Sequence, residues 1–264
     1  VRATALESRS GAGGGDATDG SSCSIKVTLP EMFDVKLLAN HLHLSTISKS
    51  HGYFDVDCQS GTLELEKVRG SQVSLNCGDA DIRVYKLLEG NSLVRCRSFD
   101  AKMVNGDEVD VRCLEGIQVG AMYAKHIRLR TVRGGVRVAA MHGQAQIEAE
   151  QGVVDLQGLD GAAGIIAPQG NVTMQINKLI TTRPTTARAL KGSVEARVAP
   201  TIDAELACSH VATSSRNSII IASPSFDGEV TDDSARGRLI ATSTSTDGSG
   251  AGGSGRRGPT IVRD

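Results

Sequence analysis

The amino-acid sequence predicts an all-β fold, a single-stranded β-solenoid (β-helix) with ~18 residues and two short strands per coil. About seven regular coils plus terminal caps are expected. Three observations predict it. Four of the six cysteines sit in one local frame, Val56-Asp57-Cys58, Leu75-Asn76-Cys77, Val94-Arg95-Cys96 and Val111-Arg112-Cys113, with steps of 19, 19 and 17 residues. A second series of alternating segments recurs at the same interval between them, from Leu63-Glu64-Leu65 to Val172-Thr173-Met174. Third, the chain of 264 residues holds 30 Gly but only three Tyr, four Phe and no Trp. Such a chain must build its core from aliphatic and small side chains. Stacked short strands with glycine corners allow this, because glycine adopts backbone angles closed to other residues.

The elements follow in order. Residues 1–22 are rich in Gly, Ala, Ser and Thr and read as a flexible N-terminal tail. They lack the apolar core of a secretory signal. Residues 23–226 form the expected solenoid domain. Within it, Ser24 to Leu37 gives two strands broken at Pro30, a residue suited to a sheet edge and so a candidate cap. The repeat is regular from Gly52 to Ile176. The first series continues beyond the cysteines through Leu129-Arg130-Thr131, Ile147-Glu148-Ala149 and Ile165-Ile166-Ala167, and the second runs through Ile82-Arg83-Val84, Ala101-Lys102-Met103, Ile117-Gln118-Val119, Val136-Arg137-Val138 and Val154-Asp155-Leu156. Alternation with period two buries the outer residues of each triplet and exposes the middle one, with Ile166 as the apolar exception. Lys178 to Lys191, with its Thr-rich 181–186 segment, reads as a loop out of the stack. Ser193–Val198, Ile202–Ala207 and Ser218–Ala222 resume strands and are the second candidate cap. Residues 227–264 are a low-complexity C-terminal tail, with a terminal strand at Pro259–Arg263.

Two sets of residues stand out. The first is an interior column of Cys58, Cys77, Cys96, Cys113, Thr131, Ala149 and Ala167. Free cysteine behaves as a small buried hydrophobe, so packing explains it better than disulfides between adjacent coils or a metal site, which a linear stack cannot make tetrahedral. The second is a belt of outward cations, Arg83, Arg95, Lys102, Arg112, Arg128, Arg130, Arg133 and Arg137. Residues 91–140 hold nine Lys/Arg against five Asp/Glu, within a chain of net charge −1. Stacked like charges destabilise a sheet, so the belt reads either as a surface screened by Asp100, Asp110 and Glu115 or as a docking site for an acidic partner.

Catalytic chemistry finds no foothold. Gly253-Ser254-Gly255-Arg256-Arg257-Gly258 matches a dinucleotide-binding spacing but follows no strand and opens no helix. No GxxxxGK[ST], HExxH, GxSxG or CxxC occurs. An 18-residue coil also suits the three-hexapeptide helix of acyltransferases, but the inward aliphatics here recur as nine plus nine rather than every six. His41-Leu42-His43 places two imidazoles on one strand face and reads as a surface pair with no third ligand nearby in sequence. Asp55, Asp57, Asp79 and Asp81 read as solvated strand residues, and Asn171-Val172-Thr173 accepts glycan only in a secreted chain.

The stretches Val27-Thr28-Leu29-Pro30, Lys67-Val68-Arg69-Gly70-Ser71-Gln72-Val73-Ser74-Leu75 and Lys191-Gly192-Ser193-Val194-Glu195-Ala196 resemble a eukaryotic branch of the adhesin family, a β-solenoid domain of unknown function. The resemblance covers roughly residues 24–222; the cysteine column and the Thr-rich loop depart from it. It implies the fold, a non-catalytic role and a mitochondrial location, and carries over no active-site residue. The expectation is therefore an interaction module without catalytic, cofactor-binding or metal-ligating residues, an accessory subunit that docks on other protein subunits. No small-molecule substrate or cofactor is expected. The scarcity of aromatics argues against nucleic acid, contact with a membrane surface stays open, and no segment is apolar enough to span a bilayer as a helix. A secreted or surface adhesin-like module and a hexapeptide-type transferase are the alternatives.

Overall fold

The protein is described by a computed structural model covering residues 33–47, 50–180, 184–199, 202, 205–209, 230–233 and 238–242. The Pro30 strand, Ser218–Ala222, Pro259–Arg263 and the 253–258 glycine motif lie outside the described residues.

The chain is a β-solenoid of about nine turns. Its strands are β1 (Val35–Ile47), β2 (Ser50–His51), β3 (Phe54–Cys96), β4 (Ser98–Cys113), β5 (Ile117–Thr131), β6 (Val136–Ala149), β7 (Val154–Ala167), β8 (Val172–Lys178), β9 (Thr186–Ala189) and β10 (Val194–Val198). Every pairing in this sheet is parallel, β1 on β3 and so on down to β8 on β10. At about 4.8 Å per coil the stack is roughly 40 Å long. A separate antiparallel sheet joins β11 (Glu205–Ser209), β13 (Arg238–Thr242) and β12 (Val230–Asp233).

The repeat length follows from the register. Phe99 pairs with Ile117, Ile117 with Val136, Val136 with Val154 and Val154 with Val172. One coil cannot cover its own apolar face, whereas each neighbour supplies both a hydrogen-bonding edge and a second apolar layer. Each coil is nearly one continuous strand, and its burial has three inward stretches where two were expected. In β5 these are Ile117/Val119, Met122/Ala124 and Ile127/Leu129/Thr131. Pairs of successive outward residues separate them, and each pair turns the chain. The middle stretch escapes a search for alternation because it offers one large residue per coil, the column Leu88, Val104, Met122, Met141 and Leu159. Inward residues fall at Ile117, Met122, Ile127 and then Val136, which is not the even six-residue spacing of a hexapeptide helix.

Three further expectations change. Arg83 pairs with Asp100, and Asp100 with Gln118, so the second series passes through Phe99-Asp100-Ala101 and not Ala101-Lys102-Met103. The step there is shorter by two residues, and Phe99, buried to 1% exposure, is the large residue that claims the interior slot. The regular repeat begins earlier than Gly52, since β1 pairs with β3 from Val35 onward. The segment expected to leave the stack contains β9, which pairs in parallel with β7. There Ala187 packs against the core while Arg188 takes the outward slot, an alternation that alanine makes faint in sequence.

The interior column is continuous. Ala39 pairs with Cys58, Cys96 with Cys113, Cys113 with Thr131, Thr131 with Ala149, and Ala167 with Ala189. All four cysteines are buried free thiols, and the Cys96 and Cys113 sulfurs lie 3.3 Å apart in hydrogen-bond contact. Thr131 fits this apolar position because its Oγ1 donates to the Gly134 carbonyl at 2.6 Å. Hydrogen bonding to the neighbouring sulfur, with burial second, pushes the Cys77 and Cys96 thiols well above the usual range. They stay protonated and unreactive at neutral pH. Iodoacetamide at pH 7 should therefore leave Cys77 and Cys96 unmodified in the native protein and label both in denaturant, as read by peptide mass mapping. Equal labelling in the two states would remove the column from the interior.

Glycine is required where corners stack. A Cβ on Gly170 would sit 1.7 Å from the Gly152 carbonyl oxygen, and Gly152 stands in the same relation to Gly134 at 2.0 Å. On another corner Gly161, at φ 143°, takes a conformation that side chains rarely allow. Gly170→Ala should cost about 1–3 kcal/mol in urea denaturation, the range for forced overpacking. Gly164→Ala, whose Cβ meets nothing nearer than 3.7 Å, should change stability by no more than about 0.5 kcal/mol.

Candidate functional site

Three outward columns correspond to the three inward stretches, and their charges differ. The column over the first stretch runs Glu64, Arg83, Asp100, Gln118, Arg137, Asp155, Thr173 and Glu195. Each of its arginines stands next to a carboxylate in the register. Arg83 lies 4.0 Å from Asp100 and Arg137 lies 3.4 Å from Asp155, while the Tyr85 hydroxyl donates to Glu64 at 3.0 Å. Both arginines of this column are thereby paired, and its four carboxylates leave it net negative. Lys102 lies off this column and has no ion pair among the described residues.

The second column runs Glu89, Asn105, Tyr123, His142, Asp160 and Lys178. Glu89 is paired with Arg69 at 2.7 Å and His142 with Asp160 at 3.5 Å. The three tyrosines are all exposed, yet they sit on different coils and form no stacking platform.

The third face carries the surplus positive charge. Its first column stacks Arg95, Arg112, Arg130 and Glu148, and beside it run Leu93, Asp110, Arg128 and Gln146. Arg112 forks onto Asp110 with Nε at 3.0 Å and Nη2 at 2.8 Å. Arg130 donates to Glu150 at 2.8 Å and lies 3.6 Å from Glu148. These carboxylates relieve the repulsion expected of stacked arginines. They also hold both guanidinium groups further above their ordinary range, through the hydrogen bonds first and charge second. Arg95 and Arg128 have no such partner among the described residues, and neither does Arg133 at the following corner. The same face falls away into a shallow depression at the neighbouring corner, lined by Ser71, Gln72, Asn91, Glu108, His126 and Arg128 among others. Asn91 is committed there, since its Oδ1 accepts the Glu108 backbone N–H at 3.2 Å.

The acidic residues read as solvated are more engaged than expected. The Asp81 carboxylate accepts from Arg97 Nε at 2.9 Å, from Arg97 Nη2 and from Ser98 Oγ at 2.6 Å. This clamp ties one coil to the next, a role that one coil's sequence alone cannot show. The Arg97 hydrogen bonds hold the Asp81 carboxyl below its usual range, opposed by burial and assisted by Ser98. Asn171 is likewise committed, its Oδ1 accepting the Ser193 N–H at 2.9 Å. No group of three or more His, Cys, Asp or Glu converges on a common point among the described residues. No helix among them is long and apolar enough to cross a membrane.

The Asp81 clamp has a defined pH signature. Its carboxyl is lowered in the folded state, so the stabilisation is complete above the unfolded value of about 4 and disappears as pH falls through the folded value. Asp81→Asn should lower the urea midpoint at pH 7, and the gap to wild type should narrow below about pH 4. A gap that is constant across that range would exclude an ionised carboxylate as the source.

Compared with known proteins, the chain matches no family model, no curated sequence and no solved structure.

Proposed function

We propose that this chain is a non-catalytic interaction module that docks an acidic protein surface on the third face of its solenoid. The observation that carries the reading is the pair Arg95 and Arg128. Both stand on a face built from successive register positions, next to Arg112 and Arg130, and both lack an ion-pair partner among the described residues. Arg95 stacks on Arg112 at coil spacing, where guanidinium groups repel one another, and Arg128 stands two residues from Arg130 opposite Asp110, a carboxylate that Arg112 already holds. A partner that brings carboxylates to this face relieves that repulsion and gains charge-assisted hydrogen bonds. A rigid stack holds these groups in a fixed array without a separate ordering cost at binding.

The role that fits best is an accessory subunit of a larger assembly. The adhesin-type resemblance and its mitochondrial branch supply the cellular setting for this proposal. Arg95→Glu combined with Arg128→Glu should leave the circular dichroism spectrum and thermal midpoint of the isolated chain close to wild type. The same pair of changes should abolish co-purification of its protein partners from the native source, while Arg83→Glu on the carboxylate-paired first column should not. Unchanged partner recovery with both arginines reversed would remove this face from the interaction. Recovery of nucleic acid or lipid in place of protein would redirect the function.

A further inference from the structure

We propose that His41 and His43 form a chelating site for a divalent transition-metal ion of the imidazole-preferring class, such as Ni²⁺, Cu²⁺ or Zn²⁺, on the first coil of the solenoid. The pair arises from strand alternation. Leu42 and Leu44 pack against the core, so residues 41 and 43 both point outward from β1. That much follows from sequence; what sequence does not show is how the rings meet.

The two Nε2 atoms are 3.2 Å apart and the ring centroids are 4.9 Å apart, edge to face at 86°. A straight hydrogen bond between the two nitrogens would line up both ring axes and place the centroids about 5.4 Å apart. The observed centroid separation is shorter, so the two ring axes are bent away from the line between the nitrogens. Two ring axes that converge on one ion, with each nitrogen about 1.1 Å from its ring centre, reproduce both distances when the ion lies about 2.1 Å from each Nε2 atom at an N–ion–N angle of about 100°. These are the bond length and near-tetrahedral bite of two imidazoles on one ion.

A second observation comes from the next coil. His41 pairs with Ser60 in the register, and His41 Nδ1 lies 2.8 Å from Ser60 Oγ. A proton donated from Nδ1 to this hydroxyl leaves Nε2 as the lone-pair nitrogen, the tautomer that ligation requires. Ser60 is therefore a positioning residue for the metal ligand. No third His, Cys, Asp or Glu joins the pair among the described residues. The remaining coordination positions are open to water, which makes this an exchangeable site and not a structural one.

Isothermal titration of the untagged chain with Ni²⁺, its thiols kept reduced, tests the proposal. One Ni²⁺ per chain is expected in the wild type. His41→Ala and His43→Ala should each weaken binding at least tenfold. Ser60→Ala should weaken it about tenfold while leaving both imidazoles in place. His142→Ala, on another column, should leave the affinity unchanged. Both imidazoles are exposed, and matching circular dichroism spectra establish that the variants fold. Binding in the His41→Ala/His43→Ala double variant equal to wild type would overturn the site, as would an absence of Ni²⁺ binding in the wild type. An unchanged affinity in Ser60→Ala would overturn the positioning role. The arginine face is untouched by these variants, so loss of metal binding and loss of partner binding are separable.

Discussion

The parallel ladder between successive coils is the constraint on which everything else rests. Each coil is nearly one strand long, and along its paired stretches the backbone looks to the coil above or below for its partners. Parallel strands buried in this way need the same kind of side chain at the same place on each layer, because a slip of one residue would exchange the inward and outward sets. The inward stacks meet that demand. Phe99, Ile117, Val136, Val154 and Val172 form one, and the cysteine, threonine and alanine column forms another. Thr131 shows how narrow the demand is, since a hydroxyl is admitted only with its proton delivered to the carbonyl of Gly134 at the corner.

The same ladder explains where glycine is obligatory. Corners that stack directly leave no room for a Cβ between one coil and the carbonyl of the next, as at Gly134, Gly152 and Gly170. Elsewhere the repeat tolerates variation in length. Steps range from Cys96 to Cys113, through Ile117 to Val136, to the longer interval from Val172 to Val194. The differences are absorbed at bends, where register shifts appear between Val84 and Leu88 and between Tyr123 and His126. Polar side chains then tie the coils together at their edges, through Asn91, Asn171 and the Asp81 clamp.

Stacking also dictates the surface. Residues that are distant in sequence become neighbours at a fixed spacing, so each outward column acts as an electrostatic unit. One column sets each of its arginines beside a carboxylate and is net negative. Another places three arginines in succession and recruits carboxylates from the adjoining positions to hold two of them. The imbalance left at Arg95 and Arg128 is thus a property of the assembled face, and no single coil contains it. The imidazole pair on β1 is a local counterpart, in which strand alternation brings two rings together and the neighbouring coil sets the Ser60 hydroxyl 2.8 Å from one of them.

The amino-acid sequence by itself determined the class of fold, the repeat interval and the membership of the cysteine column. These depend on period-two alternation and a recurring interval, and both are properties of order along the chain. It also indicated the cluster of positive charge in the middle of the stack. Only the tertiary structure decided the register at Phe99, which moved Lys102 off the first outward column and brought Asp100 beside Arg83. It likewise decided the third inward stretch, the return of Thr186–Ala189 to the stack and the distance between the His41 and His43 nitrogens. The reason is common to all of them. A bend lets a coil gain or lose a residue without disturbing its own alternation, so which side chains face each other across coils is settled by packing and hydrogen bonding between layers.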